Sequence, residues 1–387
     1  MKKNNCKRTI KTFGLMASIL FSTSAFAGLQ DTDKKPLEHY FNQGKAIASK
    51  LTKNINCDNN SYRCSFKDLI YSSKGFTSDS NAVDGLRGEA TGTYYKDIKI
   101  SNYNVYYNKN ENFTEESYRD IGISINGQSY SNINSVNITQ GKGSIVDFYI
   151  QGTVDENLIK TLRDNALKGL SQSDINKYNK NTQDVQSLSD FFSKHGDFLL
   201  SGHVNISFNG KAMLKISVLD KKDRKNIISF TTNAIIGDIS PVKKMLETNM
   251  TFTDYTNLLS NVLSNNMMNA IISSMKIDFN MSSYIDEIKE IKSRPSDNPF
   301  KKSVFISERL DPMIIANNGI LNVEYVNRNN TPVYSIGLDI FANIIKNAKA
   351  LQNQQIQSKD SVKNKVVKGL SILDKYYSLK INGLSFN

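Results

Sequence analysis

Three histidines, three cysteines and a scatter of carboxylates are the side chains in this sequence best suited to acid–base, nucleophilic or metal chemistry. The histidines are His39, His195 and His203. None belongs to an H-E-x-x-H or H-x-x-x-H arrangement, which would set two imidazoles on one helix face. Each therefore reads as a surface or packing residue. The chain carries no G-x-S-x-G elbow, no phosphate-cradling G-x-x-x-x-G-K-[ST] loop, no G-x-G-x-x-G and no calcium loop. Adjacent acids such as Asp286 and Glu287 project from different sides of a helix and do not make a catalytic couple. Carboxylates distant in sequence can still meet across a cleft, so hydrolysis of an envelope polymer stands as an alternative to simple binding. Tryptophan is absent. No cofactor and no metal site is expected.

The cysteines and asparagines give more. Cys57 and Cys64 form an even pair closing the short loop Asp58 to Arg63, which reads as one disulfide in an oxidising compartment. Such a loop stabilises by roughly 2–3 kcal/mol in the chain-entropy picture. Asn249 and Asn280 each sit in an acidic-x-Asn-x-Ser/Thr pattern, the acceptor type some bacteria glycosylate on exported proteins.

The third cysteine, Cys6, lies within a targeting segment. Lys2, Lys3, Lys7, Arg8 and Lys11 precede an apolar stretch from Phe13 to Phe21, and small residues follow up to Ala27 and Gly28. This order predicts a signal peptide over 1–27, cleaved between Ala27 and Gly28. The stretch is too short for a membrane span of about 20 residues, and no other segment supplies one. The signal holds five basic and no acidic residues, so its removal lowers the formal net charge from +12 to +7. The remaining basic residues form no stripe, so nucleic acid is not an expected partner. The expected location is the periplasm, the outer envelope or cell surface, or the medium.

The elements that must position any site follow from periodicity. Leu37, Tyr40, Phe41, Ile47, Ala48 and Leu51 recur at helical steps over Pro36–Lys53, with Asp33 as the expected cap. A strand is expected near 61–71 and a loop over 72–92. Ile98 and Ile100 alternate in one phase, and Tyr103, Val105 and Tyr107 in the other, which predicts a bulge near Ser101. Strands are expected through Ile121–Ile125 and in a hairpin turning at 140–143, then two helices within 155–194. The clearest pattern runs from Leu200 to Val218 about Asn209-Gly210, a strong hairpin signal. A third strand through Phe230, a helix over 253–268 and an alternating run from Ile271 to Met281 follow. Strand-like segments at 320–325 and 333–340, helical segments near 341–351 and 360–376, and a final strand at Leu379 and Ile381 complete the reading.

The fold class is thus α+β, a long antiparallel sheet with interspersed packing helices, forming one large domain over 28–387 that admits division into two lobes near 171–197. Alternation gives each strand one apolar face, which helices, closure or a ligand must cover. Ile206, Phe208, Leu214, Ile216, Met275, Ile277 and Phe279 are expected to line that face. Six of the ten methionines fall between Met245 and Met281, beside it; methionine suits adaptable apolar surfaces, and equally an ordinary core.

The helix Pro36–Lys53, then Asn56-Cys57, the polar loop and Arg63-Cys64-Ser65-Phe66, resembles the campylobacter surface lipoprotein adhesin family (JlpA-like) over residues 33–70. That resemblance implies an open half-barrel sheet with a concave apolar basin, and surface adhesion with lipid or host-protein binding. The family's lipobox cysteine is lacking here. The expected function is that of a non-enzymatic exported envelope protein. Its apolar sheet face binds a lipid-like ligand or an envelope or host protein; the alternatives are the hydrolase and a purely structural periplasmic protein.

Overall fold

The computed structural model describes residues 34–77, 92–153, 198–286, 289, 310–339 and 373–386, apart from Asn126, Asp223 and Met268. The expected signal peptide, the capping Asp33, the helices within 155–194, the linker 293–300 and the helical segments after 341 up to 372 lie outside these residues.

Among the described residues, thirteen strands form one antiparallel sheet in strictly sequential order, each hydrogen-bonded to the next. They are β1 (Asn54–Asp58), β2 (Arg63–Thr77), β3 (Gly92–Asn108), β4 (Phe113–Ile125), β5 (Gln128–Gln140), β6 (Ser144–Thr153) and β7 (Phe198–Ser207). The series continues with β8 (Lys211–Asp220), β9 (Asn226–Ile235), β10 (Ile271–Asn280), β11 (Ile320–Asn327), β12 (Tyr377–Ile381) and β13 (Leu384–Phe386). The sheet is open, with β1 and β13 at its edges. Helix α1 (Pro36–Leu51) precedes β1, while α2 (Ser240–Glu247) and α3 (Phe252–Met267) lie between β9 and β10 and α4 (Leu310–Ala316) between β10 and β11.

Proline pre-set in the first turn starts α1, and its N-cap, Lys35, offers no side-chain hydrogen bond. Leu37, Phe41 and Ala48 recur on one face and bury against Cys64, Phe66, Leu69, Tyr103, Val105 and Tyr107 of β2 and β3. Phe41 meets the Tyr62 ring edge-on at 6.0 Å. An antiparallel bridge between Lys34 and Met250 ties the start of this helix to the α2–α3 linker.

The phase change at Ser101 is shared by neighbouring strands rather than being a bulge in β3 alone. In β2 the apolar positions pass from Cys64 and Phe66 to Leu69, and in β4 from Tyr118 to Ile121. Pairing is continuous across the row, since Lys67 opposes Asn102 and Leu69 opposes Ile100. The β3–β4 ladder behaves alike, with Asn102 opposite Arg119 and Ile100 opposite Ile121. Asp68 and Asp120 take left-handed backbone at φ 54° and 51°, a conformation aspartate tolerates better than most residues. A register shift between Ile133 and Ser135 ends the row at β6. A bulge in one strand would turn its side chains against its neighbours' faces; a shared shift keeps each cross-strand pair on one face.

Two further expectations are corrected. Residues 72–77 continue β2 and pair as far as Thr77 with Gly92, so this part of the loop expected over 72–92 is strand, and residues 78–91 lie outside the described residues. Residues 333–339 are helical, not strand. Pro332 precedes them and its carbonyl accepts from the Ile336 amide at 3.2 Å. Only Ile336 is buried, against Tyr376 and Tyr377, while Tyr334 and Leu338 are exposed, a helical rather than alternating pattern.

Candidate functional site

Strand β9 lies between the β7–β8 hairpin and β10, so the expected apolar residues share one sheet through its side chains. Ile216 opposes Phe230, and Phe230 opposes Ile277. One row along, Val204 opposes Leu214, Leu214 opposes Thr232, and Thr232 opposes Met275.

The seven residues do not share one environment. Phe279, 2% exposed, is core beneath α4, with Ile314 and Leu321. Met275 packs near Ile336 and Tyr376. Ile206 and Phe208 pack against Ile239 and Val242 beside α2, and Phe208 stands in the turn beyond β7. Leu214 is the exposed member at 39%; Leu200, on the same face but four positions along, opposite Val218, is 41% exposed. Ile216 and Ile277 are half-buried between these limits. Asn249 lies in the exposed α2–α3 linker, and Asn280 is exposed at the end of β10.

Cys57 and Cys64 are bonded, cross-linking directly opposed positions of β1 and β2. His39 and His203 are not brought together. His39 is buried on α1; His203 on β7 reaches Asp147 through Nε2 at 2.6 Å on the polar side of the sheet; His195 lies outside the described residues. Among the described residues, no three His, Cys, Asp or Glu side chains gather as a metal site would require.

Sequence reasoning missed a buried carboxyl. Glu116, 5% exposed, sits on the apolar side of β4. Its Oε2 accepts from the Tyr118 hydroxyl at 2.6 Å and the Tyr103 hydroxyl at 3.2 Å. Burial pushes the Glu116 carboxyl up, while hydrogen bonds from Tyr118, Tyr40 and Tyr103 pull it back. The same burial, with Glu116 beside them, holds Tyr40, Tyr103 and Tyr118 well above the ordinary phenol value. Gly44 on α1 makes room for this cluster, because a Cβ there would fall 2.5 Å from the Tyr103 hydroxyl. With aromatic rings stacked about it (Tyr103 and Tyr118 centroids 4.5 Å apart), the group is a satisfied polar knot in the core.

The opposite face of β1–β5 is polar and holds a depression of about 670 Å³. Its lining follows the register. One row runs Asp58, Arg63, Tyr106, Glu115, Thr139. The next runs Asn56, Ser65, Asn104, Ser117, Asn137. The Arg63 guanidinium carbon lies 4.3 Å over the Tyr106 ring, and Lys142 pairs with Glu115 at 3.1 Å. Hydrogen bonds from Ser61 and the Asn60 backbone hold the Asp58 carboxyl below its ordinary value.

No described helix is long and apolar enough to cross a membrane. Comparison of the chain with protein-family models, with curated proteins and with solved structures found no match.

Proposed function

We propose that this chain is an exported cell-envelope protein that binds a lipid-like ligand on the apolar face of β7–β10. The observation that carries the reading is the exposure of Leu200 and Leu214 on the face that elsewhere forms the core. Beside Leu214 lie the half-buried Ile216, Phe230 and Ile277, so the apolar surface is contiguous across three strands. Contiguous exposed apolar area marks an interaction site more often than scattered single residues do. The Cys57–Cys64 disulfide agrees with an oxidising compartment.

In this reading the sheet curves as a half barrel, with the apolar face inside, and the protein is non-enzymatic. Display at the cell surface as an adhesin, in the manner of the family that residues 33–70 resemble, is the extended form of the proposal.

Native mass spectrometry of the purified protein is expected to find a co-purified lipid. Leu214→Asp and Ile277→Asp test the face. At an open site water reaches the new carboxylate, so both variants melt near the wild type while binding of oleate and of an apolar dye falls at least about tenfold. If the face is instead a sealed core, an unpaired buried charge costs several kcal/mol and both variants unfold, which overturns the reading. Intact folding with undiminished oleate binding also overturns it.

A further inference from the structure

The polar depression over β1–β5 faces away from the apolar side, and nothing in the lipid reading uses it. Its floor is a regular array. Asn56, Asn104 and Asn137 stand on alternate strands of one row, with Ser65 and Ser117 between them. Neighbouring strands are about 4.8 Å apart, so five strands present hydrogen-bonding side chains at that repeat across about 19 Å. Primary amides and hydroxyls each both donate and accept, as do the hydroxyls of a sugar.

The charged groups exposed in the depression are of both signs: Asp58 on β1 is directly opposed to Arg63 on β2, and Glu115 pairs with Lys142. A lining of mixed sign suits a neutral ligand better than a phosphate or a polycation. The volume of about 670 Å³ lies in the range of small-ligand sites, roughly 300–1,000 Å³.

The floor is also held in place before any ligand arrives. The Cys57–Cys64 bond fixes edge strand β1, which contributes Asn56 and Asp58. Asn104 Nδ2 donates to Ser117 Oγ at 3.3 Å, and the Tyr106 ring fixes the Arg63 guanidinium. On the far side, α1 packs against these strands and stiffens them from behind. Groups fixed in advance lose little freedom on binding, which matters for a ligand that gains only modest energy per hydrogen bond.

We propose that the polar face of β1–β5 is a binding site for a neutral oligosaccharide. Asn56, Asn104 and Asn137 take its hydroxyls, and Arg63, seated on Tyr106, takes its ring and linkage oxygens.

Calorimetry of the full-length protein with chitohexaose, cellohexaose and maltohexaose is the test, with inorganic phosphate and phosphatidylglycerol vesicles as comparisons. At least one oligosaccharide is expected to bind, with affinity unchanged by about 0.5 M salt, where charge contacts are screened. Asn104→Ala and Tyr106→Ala should each weaken it at least about tenfold, and Lys211→Ala, at an exposed position on β8, should leave it unchanged. Asn104 is exposed, so its variant keeps the test valid if Tyr106→Ala lowers stability. Absence of binding by all three oligosaccharides overturns the proposal, as does binding that survives both substitutions. Binding of phosphate or vesicles that Asn104→Ala abolishes overturns it in favour of an anion site.

Discussion

Replacing Glu116 separates the contribution of its hydrogen bonds from the cost of its charge. Glu116→Leu fills the space but removes the acceptor, leaving the Tyr103 and Tyr118 hydroxyls without the carboxyl oxygen they donate to at 3.2 and 2.6 Å. At roughly 1–3 kcal/mol for each buried group deprived of its partner, the loss is about 2–6 kcal/mol. Glu116→Gln retains a carbonyl acceptor and should cost about 1 kcal/mol at acid pH. The pH dependence carries a sign. Burial raises the folded carboxyl above its unfolded value, so the folded protein holds that proton more tightly. The wild type is therefore favoured over the Gln variant below the unfolded value, about 4.3. It loses that advantage as pH rises through the higher folded value, because the unfolded chain releases the proton first. Urea melts of wild type, Gln and Leu variants between about pH 4 and 8 measure both effects. A Leu variant within about 0.5 kcal/mol of wild type, or a wild-type-minus-Gln difference that stays flat or grows with pH, would refute the reasoning.

Three further outcomes are expected. Thiol labelling of the denatured, unreduced protein should find neither Cys57 nor Cys64 free, and replacing both with serine should cost about 2.5 kcal/mol in chemical melts. Gly141 and Gly143, both at positive φ in the β5–β6 turn, should respond differently to alanine. A Cβ at Gly141 would lie 2.5 Å from the Asn112 carbonyl oxygen and 2.7 Å from Leu37, whereas one at Gly143 meets nothing within 4 Å. Gly143→Ala should cost only the left-handed backbone penalty of about 1–2 kcal/mol, and Gly141→Ala clearly more, read from paired thermal melts. Asn112→Ala should destabilise by about 2–4 kcal/mol in urea melts. Asn112 is buried at φ 49°, donates to the Leu246 carbonyl at 2.8 Å and accepts from Tyr107 at 3.2 Å.

What the sequence made legible depended on how far each element advertises itself. The β7–β8 hairpin shows alternation on both sides of Asn209-Gly210, and the structure gives Gly210 the positive φ that such a turn demands. The helix α1 was equally plain because its apolar stripe is continuous. Edge strand β1 was not legible. Asn54-Ile-Asn-Cys-Asp has one strongly apolar residue, and its extended form comes with pairing to β2 and the disulfide. The eight-residue α2 is too short for periodicity to speak, and it buries only Val242 and Leu246. At the candidate sites, alternation with Tyr118 was the available sign that Glu116 faces inward while Glu115 faces out. The polar rows could not be read, since Asn56, Asn104 and Asn137 become neighbours only through the registers of four successive pairings.

The sequential strand order bears on how the chain acquires its shape in time. Each strand's first partner is the one made just before it, so an N-terminus-first chain never waits for a distant segment to begin pairing. Low sequence separation favours rapid assembly, as in the β7–β8 and β8–β9 pairs, whereas Thr153 and Phe198 bracket a longer connection from β6 to β7. The bridge from Lys34 to Met250 is different, because it forms only after nine strands have been laid down. It therefore acts as a late latch on an already formed ribbon. Loosening that latch should leave early assembly untouched and instead speed the unravelling of the completed fold.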